Sequence, residues 1–218
     1  MGMVITIDGP AASGKSTVSR ELATRLGWQW VSTGAFYRAL GYAALHSHVE
    51  ITDVKALTEL AHSSVWTVKM GVTRTQVFFK NHEVTDDIFH EDVGNIASKI
   101  SHYPEVRKAL LEAQRNCSAG PQGLVAEGRD CGTVVFPQAQ AKIYLTASSE
   151  HRAARRAAEL GLDQGQTQEA QEVRDRQDST RKAAPLSVPE NAFVIDTTNM
   201  ALDEVVDKVE TYVRSKLN

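Results

Sequence analysis

Cysteine is nearly absent: Cys117 and Cys131 are the only two in 218 residues, and no C-x-x-C pair occurs. That excludes a disulfide framework and a thiolate metal site, and it suits a reducing, cytoplasmic setting. Among the seven histidines only His46-Ser47-His48 forms a close pair, which reads as a solvated helix end. No apolar run approaches the ~20 residues of a membrane span. A basic excess is also missing, since 24 Lys and Arg face 27 Asp and Glu for a net charge of −3. A protein that coats nucleic acid usually carries the opposite balance, so that class is excluded as well. There is no internal repeat and no low-complexity tract. What remains, at 42% hydrophobic and 23% charged, suits one soluble unit with a sizeable core.

Against that background one string stands out. Gly9-Pro10-Ala11-Ala12-Ser13-Gly14-Lys15-Ser16 spells G-x-x-x-x-G-K-[ST], the loop that wraps nucleotide phosphates. Its flanks are those the loop requires. Val4-Ile5-Thr6-Ile7-Asp8 reads as a short buried strand, and Val18, Leu22 and Leu26 recur at helical spacing up to Gly27. Strand, glycine loop and helix N-terminus together aim backbone N–H groups and the positive end of a helix dipole at one point. Lys15 can then reach the β- and γ-phosphates, and the Ser16 hydroxyl can ligate Mg²⁺. The chain is expected to bind a nucleoside triphosphate.

Further apolar runs read as parallel core strands: Trp30-Val31, Leu124–Ala126, Lys142–Leu145 and Phe193–Ile195. Helical or mixed stretches separate them, the spacing of βαβ units. Leu202, Val206, Val209, Val213 and Leu217 form the apolar stripe of a last helix. The fold class expected is therefore α/β, a doubly wound five-stranded parallel sheet with its ligand outside the strands' C-terminal ends. Two stretches break the rhythm. Val65–Met70, a turn over Gly71–Arg74, and Gln76–Lys80 read as a small antiparallel insert over the sheet edge. Glu150 to Lys182 is polar and charged, and reads as two helices with a flexible joint. Arg152, Arg155 and Arg156 share one helical face there, as do Arg174, Asp178 and Arg181. On pattern alone, either set is equally readable as a solvated, salt-bridged surface.

The motifs in sequence order identify a resemblance. The loop is followed by Ser32-Thr33-Gly34-Ala35-Phe36-Tyr37-Arg38 and by Ala126-Glu127-Gly128-Arg129-Asp130-Cys131-Gly132-Thr133-Val134-Val135-Phe136-Pro137. Arg174-Asp175, Asp178 and Arg181 come later, with Ala184-Pro185-Leu186 and Ile195-Asp196-Thr197-Thr198 behind them. In this order and spacing the chain resembles the bacterial cytidylate kinases, over nearly its full length. The resemblance implies a single kinase domain over 1–218, with a nucleoside-monophosphate-binding (NMP) region at 33–105. That region contains the antiparallel insert at 64–90, a helical lid spans 150–170, and the remainder is core.

The implied activity is transfer of the ATP γ-phosphoryl group to CMP or dCMP, with Mg²⁺, in pyrimidine nucleotide metabolism. By position, ATP should fall to Gly9 through Thr17 and to the lid arginines Arg152, Arg155 and Arg156. The CMP phosphate should be held by Arg38, Arg129 and Arg181, with Thr33 and Tyr37 alongside. Guanidinium forks suit that task because they bind phosphate oxygens in pairs and stay charged. Asp178, with Arg174, matches the sugar position, and Ser98, Arg107 and Asp130 match the base pocket. Cytosine offers an amino donor beside two acceptors; uracil replaces that donor with a carbonyl, leaving acceptor facing acceptor. Lys15, Arg129, Arg181 and Arg155 are the expected catalytic cations, and Ser16 the metal ligand. No strong general base is needed, because a phosphate monoester is already a competent nucleophile. The partners implied are small molecules only, with no nucleic acid and no membrane, and a monomer is the expected state.

The chain departs from the family pattern at three places. Ser32 stands where an Asp is usual, Phe89-His90 follows Ile88 where an Arg is usual, and Gln138 follows Pro137 in place of Asp. Rival readings are another phosphate-loop kinase, for UMP, AMP or shikimate, and a nucleotide-gated switch. Against the switch, the N-K-x-D motif that reads guanine does not occur.

Overall fold

A computed structural model describes residues 2–161, 163–181 and 183–217, without the side chains of Glu159, Leu160, Gln166, Ala170 and Arg174. In chain order the first elements are β1 (Met3–Asp8), α1 (Lys15–Leu26), β2 (Gln29–Ser32), α2 (Gly34–His46) and α3 (Val54–Ala61). Then come β3 (Trp66–Lys69), β4 (Gln76–Phe79), β5 (His82–Glu83), α4 (Glu91–Ile100), α5 (Pro104–Asn116) and β6 (Gly123–Gly128). The chain closes with β7 (Ala141–Thr146), α6 (Ser149–Leu160), α7 (Gln164–Thr180), β8 (Phe193–Asp196) and α8 (Leu202–Leu217).

The main sheet has five strands in the order β2-β6-β1-β7-β8, all paired parallel. Strand alternation sorts its side chains into two cores. Ile5, Ile7 and Val125 pack with Val18 and Leu22 of α1 and Val206, Val209 and Val213 of α8. Val4, Leu124 and Ala126 pack on the other face with Phe36 and Leu40 of α2, Ile100 of α4 and Leu110 of α5. Both faces being covered explains why the core strands read as continuous apolar runs. The C-terminal helix corrects one expectation: Leu202 is 45% exposed, and Val205 is buried in the stripe instead. Leu202 is the helix's first residue, where the chain has only begun to turn onto the sheet.

β3, β4 and β5 form the separate antiparallel sheet. The connection between β3 and β4 lies along the open edge of β2, where the Trp30 amide donates to the Gly71 carbonyl at 2.8 Å and the Ser32 amide to Thr75 Oγ1 at 3.0 Å. Covering an edge strand removes a template for unwanted pairing. The polar stretch forms a helical hairpin, α6 started by the Ser148 side chain and stopped by Gly161 at φ +65°. Lys182, its final residue by sequence, lies outside the described residues. The register sets Asp8 beside Gly128 and Ser32 beside Glu127, so the phosphate loop and the Gly128-Arg129-Asp130 segment leave the sheet together.

Candidate active site

The phosphate loop begins where β1 ends. Gly9 has φ +152°, and a Cβ there would lie 2.0 Å from the Leu145 carbonyl oxygen. Gly14 caps α1 at φ +87°, which leaves the first-turn N–H groups of that helix for an anion. Lys15 is buried and donates to the Pro10 carbonyl at 2.6 Å. Burial, reinforced by Arg129, lowers its pKa to about 8. An incoming phosphate would restore the charged form. Ser16 Oγ donates to Glu127 Oε1 at 3.0 Å.

A cleft of about 550 Å³ opens from this loop towards α4 and the segment after β6. Arginines and carboxylates interlock along it. Arg129 donates to the Gly9 carbonyl at 3.0 Å and pairs with Asp178 at 3.2 Å. Arg181 approaches the other oxygen of Asp178 at 3.5 Å and donates to the Ala184 carbonyl at 3.0 Å. Asp178 thus spaces two guanidinium groups that would repel each other unaided. Arg38 donates to the Ile88 carbonyl at 2.7 Å and lies over the Phe89 ring at 5.4 Å. The departure at Phe89-His90 therefore touches Arg38 directly, the His90 carbonyl lying 3.4 Å from it.

At the far end, Arg107 and Asp130 form a buried ion pair, and Arg107 also donates to the Ser101 carbonyl at 3.3 Å. Its guanidinium sits over the Tyr37 ring at 5.4 Å, and burial holds the Tyr37 hydroxyl protonated, with its pKa at about 12. Burial also raises the Asp130 carboxyl, opposed by Arg107 and Arg181. Ser98 lines the cleft and donates to Gln177 Oε1 of α7 at 3.2 Å. Thr33, at the other wall, donates to the Glu127 carbonyl at 2.9 Å.

The three lid arginines part company. Arg152 is buried, donating to the Ala11 carbonyl at 3.2 Å and pairing with Asp175 at 2.5 Å. Arg155 turns out of the cleft and donates to the Thr197 carbonyl at 2.7 Å. Arg156 lines the cleft. Shared helical spacing placed them on one side of α6, but three and four residues still differ by tens of degrees around the axis, enough to divide their partners. The side chain of Arg174 lies outside the described residues.

Four residues were missed from sequence. Glu127 pairs with Ser32 across β2 and β6, accepts from Ser16 Oγ, and belongs to the long string at the end of β6. Asp175 accepts from the Ala11 amide at 3.3 Å as well as pairing with Arg152, and its signal was its place beside Arg174. Ser101 Oγ lies 3.4 Å from Arg181. Asp8 ends β1 and accepts from the Cys131 and Gly132 amides at 2.8 and 2.7 Å. Burial pushes its carboxyl up to about 7 against those two bonds. Among the described residues no cluster of three or more His, Cys, Asp or Glu forms a self-contained metal cage. The exposed Ser16 hydroxyl, hydrogen-bonded to the buried Glu127 carboxylate beside the phosphate loop, instead fits Mg²⁺, which binds through few protein oxygens plus substrate phosphates.

Comparison with known proteins points one way. The family model described as cytidylate kinase matches residues 5–215. A protein named cytidylate kinase from Bdellovibrio bacteriovorus is 71% identical over 217 residues, covering 100% of both chains. One of the same name from Shewanella sediminis is 44% identical, covering 98% of this chain and 96% of that one. Among solved structures, a gluconokinase from Sinorhizobium meliloti superposes with a TM-score of 0.52 at 14% identity. It covers 98% of this chain and 92% of that one, and the likeness shows the fold alone.

Proposed function

This chain belongs to the cytidylate kinase family, and from that premise we propose that it transfers the γ-phosphoryl group of ATP to CMP or dCMP. The products are CDP or dCDP and ADP. The observation that carries the reading is one cleft with a phosphate loop at one end and the buried Arg107–Asp130 pair at the other. Arg129 and Arg181 lie between them, where two sets of phosphate oxygens must meet.

The residues then divide the work. Backbone amides from Ala11 to Thr17 and the Lys15 ammonium bind the ATP phosphates, with Arg156 on the lid side. Arg38, Arg129 and Arg181 hold the CMP phosphate so that one of its oxygens lines up with the γ-phosphorus. Asp178 accepts from the sugar hydroxyls. Arg107 donates to the cytosine N3 and O2, and Asp130 and Ser98 accept from the amino group. As charge moves towards the leaving oxygen, Lys15 and the arginines stabilise it without reorganising. Arg152 and Arg155 act from behind, Arg152 on the loop and Arg155 on the Thr197 segment. Mg²⁺, when bound, would supply charge neutralisation for the ATP phosphates, with Ser16 as the residue that would hold it and Glu127 accepting from that hydroxyl. The proposal includes a cytoplasmic monomer.

An ADP-release assay with ATP and Mg²⁺ over CMP, dCMP, UMP, AMP and shikimate tests this. CMP and dCMP should be turned over far better than the other three. Equal turnover of UMP or AMP would overturn the base assignment, and no turnover of any nucleotide would overturn the transferase reading.

A further inference from the structure

We infer that Asp8 is a positioning residue for acceptor recognition: from beneath the cleft its carboxylate holds the turn that carries Arg129 and Asp130. The inference rests on the reading of Arg107 and Asp130 as the base pocket.

The turn over Cys131–Val135 is a single π-helical turn. Its wide bonds run from the Val135 amide to the Asp130 carbonyl at 3.2 Å and from the Phe136 amide to the Cys131 carbonyl at 2.7 Å. Such a turn leaves its first amides without partners inside it, and here those amides are buried. Asp8 gives one oxygen to each, Oδ1 to Cys131 and Oδ2 to Gly132. The fit is close: a Cβ on Gly132 would lie 3.2 Å from Asp8 Oδ2 and 2.8 Å from Thr6 Oγ1. At the turn's other end, Arg115 donates to the Val135 and Val134 carbonyls at 3.0 and 2.9 Å. A rare backbone geometry is thus clamped at both ends, and Asp130 is the residue from which it springs.

Asp8 is fully buried, so it touches no substrate and cannot act as a base on one. What it can set is where Asp130 points. Asp130 is the partner of Arg107, and Arg129, one residue earlier, donates to Gly9, the residue after Asp8. Asp8 therefore joins the root of the phosphate loop to the base-reading pair through the β1–β6 register.

Asp8→Asn tests this, since it keeps the volume but turns an amino group towards one of the two amides. Arg115→Met is the second variant: it loosens the same turn from the exposed side, with no buried carboxylate disturbed. The measurements are kcat/KM for CMP and UMP, the KM for ATP, and the melting temperature. Losing one of the two buried hydrogen bonds from Asp8 should lower kcat/KM for CMP about 10- to 100-fold in Asp8→Asn and less in Arg115→Met. UMP should fall less, so the CMP-to-UMP ratio narrows, while the KM for ATP stays within about threefold. If Asp8→Asn does not fold, a narrowed ratio in Arg115→Met still supports the inference and an unchanged ratio overturns it. A folded Asp8→Asn in which CMP and UMP fall equally, or not at all, overturns it too. If the unaltered protein itself shows no preference for CMP over UMP, the base-pocket reading fails and takes this inference with it. If the preference is present and both variants retain it, Asp8 alone is misassigned.

Discussion

Replacing Arg107 by Met would separate what this side chain does for the fold from what it does for the substrate. Its side chain is 10% exposed and that of Asp130 is 9% exposed, so the pair is withdrawn from water together. Met keeps an unbranched stem but leaves the Asp130 carboxylate buried without its main partner. Breaking one half of a buried ion pair destabilises by about 3–5 kcal/mol, because the remaining charge is uncompensated. In a chain of this length about 1 kcal/mol moves the melting temperature by roughly 2–4 °C, so a drop of about 6–20 °C is expected.

The pH dependence follows from the direction of the Asp130 shift. Burial already raises its folded-state pKa above the ordinary carboxylate value, with Arg107 and Arg181 opposing. Without Arg107 the folded value rises further, so the folded state holds a proton that the unfolded state has released. Stability of the variant then falls as pH rises from about 4 through that folded pKa, and the deficit is greatest above it. The variant should therefore lie closer to the parent at about pH 5 than at about pH 7.5. Adding Asp130→Asn should recover much of the lost stability by removing the stranded charge, while leaving cytosine unread. For catalysis, Arg107→Met should lower kcat/KM for CMP roughly 30- to 1,000-fold at saturating ATP, and that for UMP less. Thermal melts of the parent, both single variants and the double variant, with kinetics on both nucleotides, supply the check. Parental melting in Arg107→Met would refute the buried-pair argument. An equal fall for CMP and UMP would refute the base assignment.

Two other outcomes are expected. Lys15→Ala should fold, because the hydrogen bond its ammonium donates goes to the Pro10 carbonyl of its own loop, yet turnover should drop ~10³-fold or more; near-parental turnover in a folded variant would exclude the proposed role. In the Arg152–Gly161 segment, amide hydrogen exchange should slow when a bisubstrate analogue and Mg²⁺ bind, and Asp175→Ala should speed it without ligand by releasing Arg152 and the Ala11 amide. Exchange that ignores both changes would argue against a lid at that place.

The elements most legible in the sequence were those whose cause is local. β1, the phosphate loop and α1 follow from adjacent residues: an apolar run, glycines where positive φ is needed, and a helical repeat ending at Gly27. The β3–β4 pair of the small antiparallel sheet is legible for the same reason, since alternation and a turn lie within twenty residues of each other, whereas the two-residue β5 is too short to show a period. The stripe of α8 was read correctly except at Leu202, where periodicity continues but the sheet beneath does not. The kinase reading itself came from the order of motifs along the chain rather than from any period.

What the sequence by itself determined is thus the strand order's raw material and the phosphate loop, because backbone sterics and side-chain alternation act between near neighbours. Tertiary structure alone decided which partner each charged group takes. Ser16 meets Glu127 across 111 residues, Asp8 meets the Cys131 amide across 123, and Asp175 meets the Ala11 amide across 164. No periodicity encodes such pairs. They exist because parallel pairing of β1 with β6 brings two loops out side by side, and the helical hairpin folds back over both. A buried carboxylate must then satisfy itself with whichever donors the packing presents, so its partner is settled only when the sheet is complete.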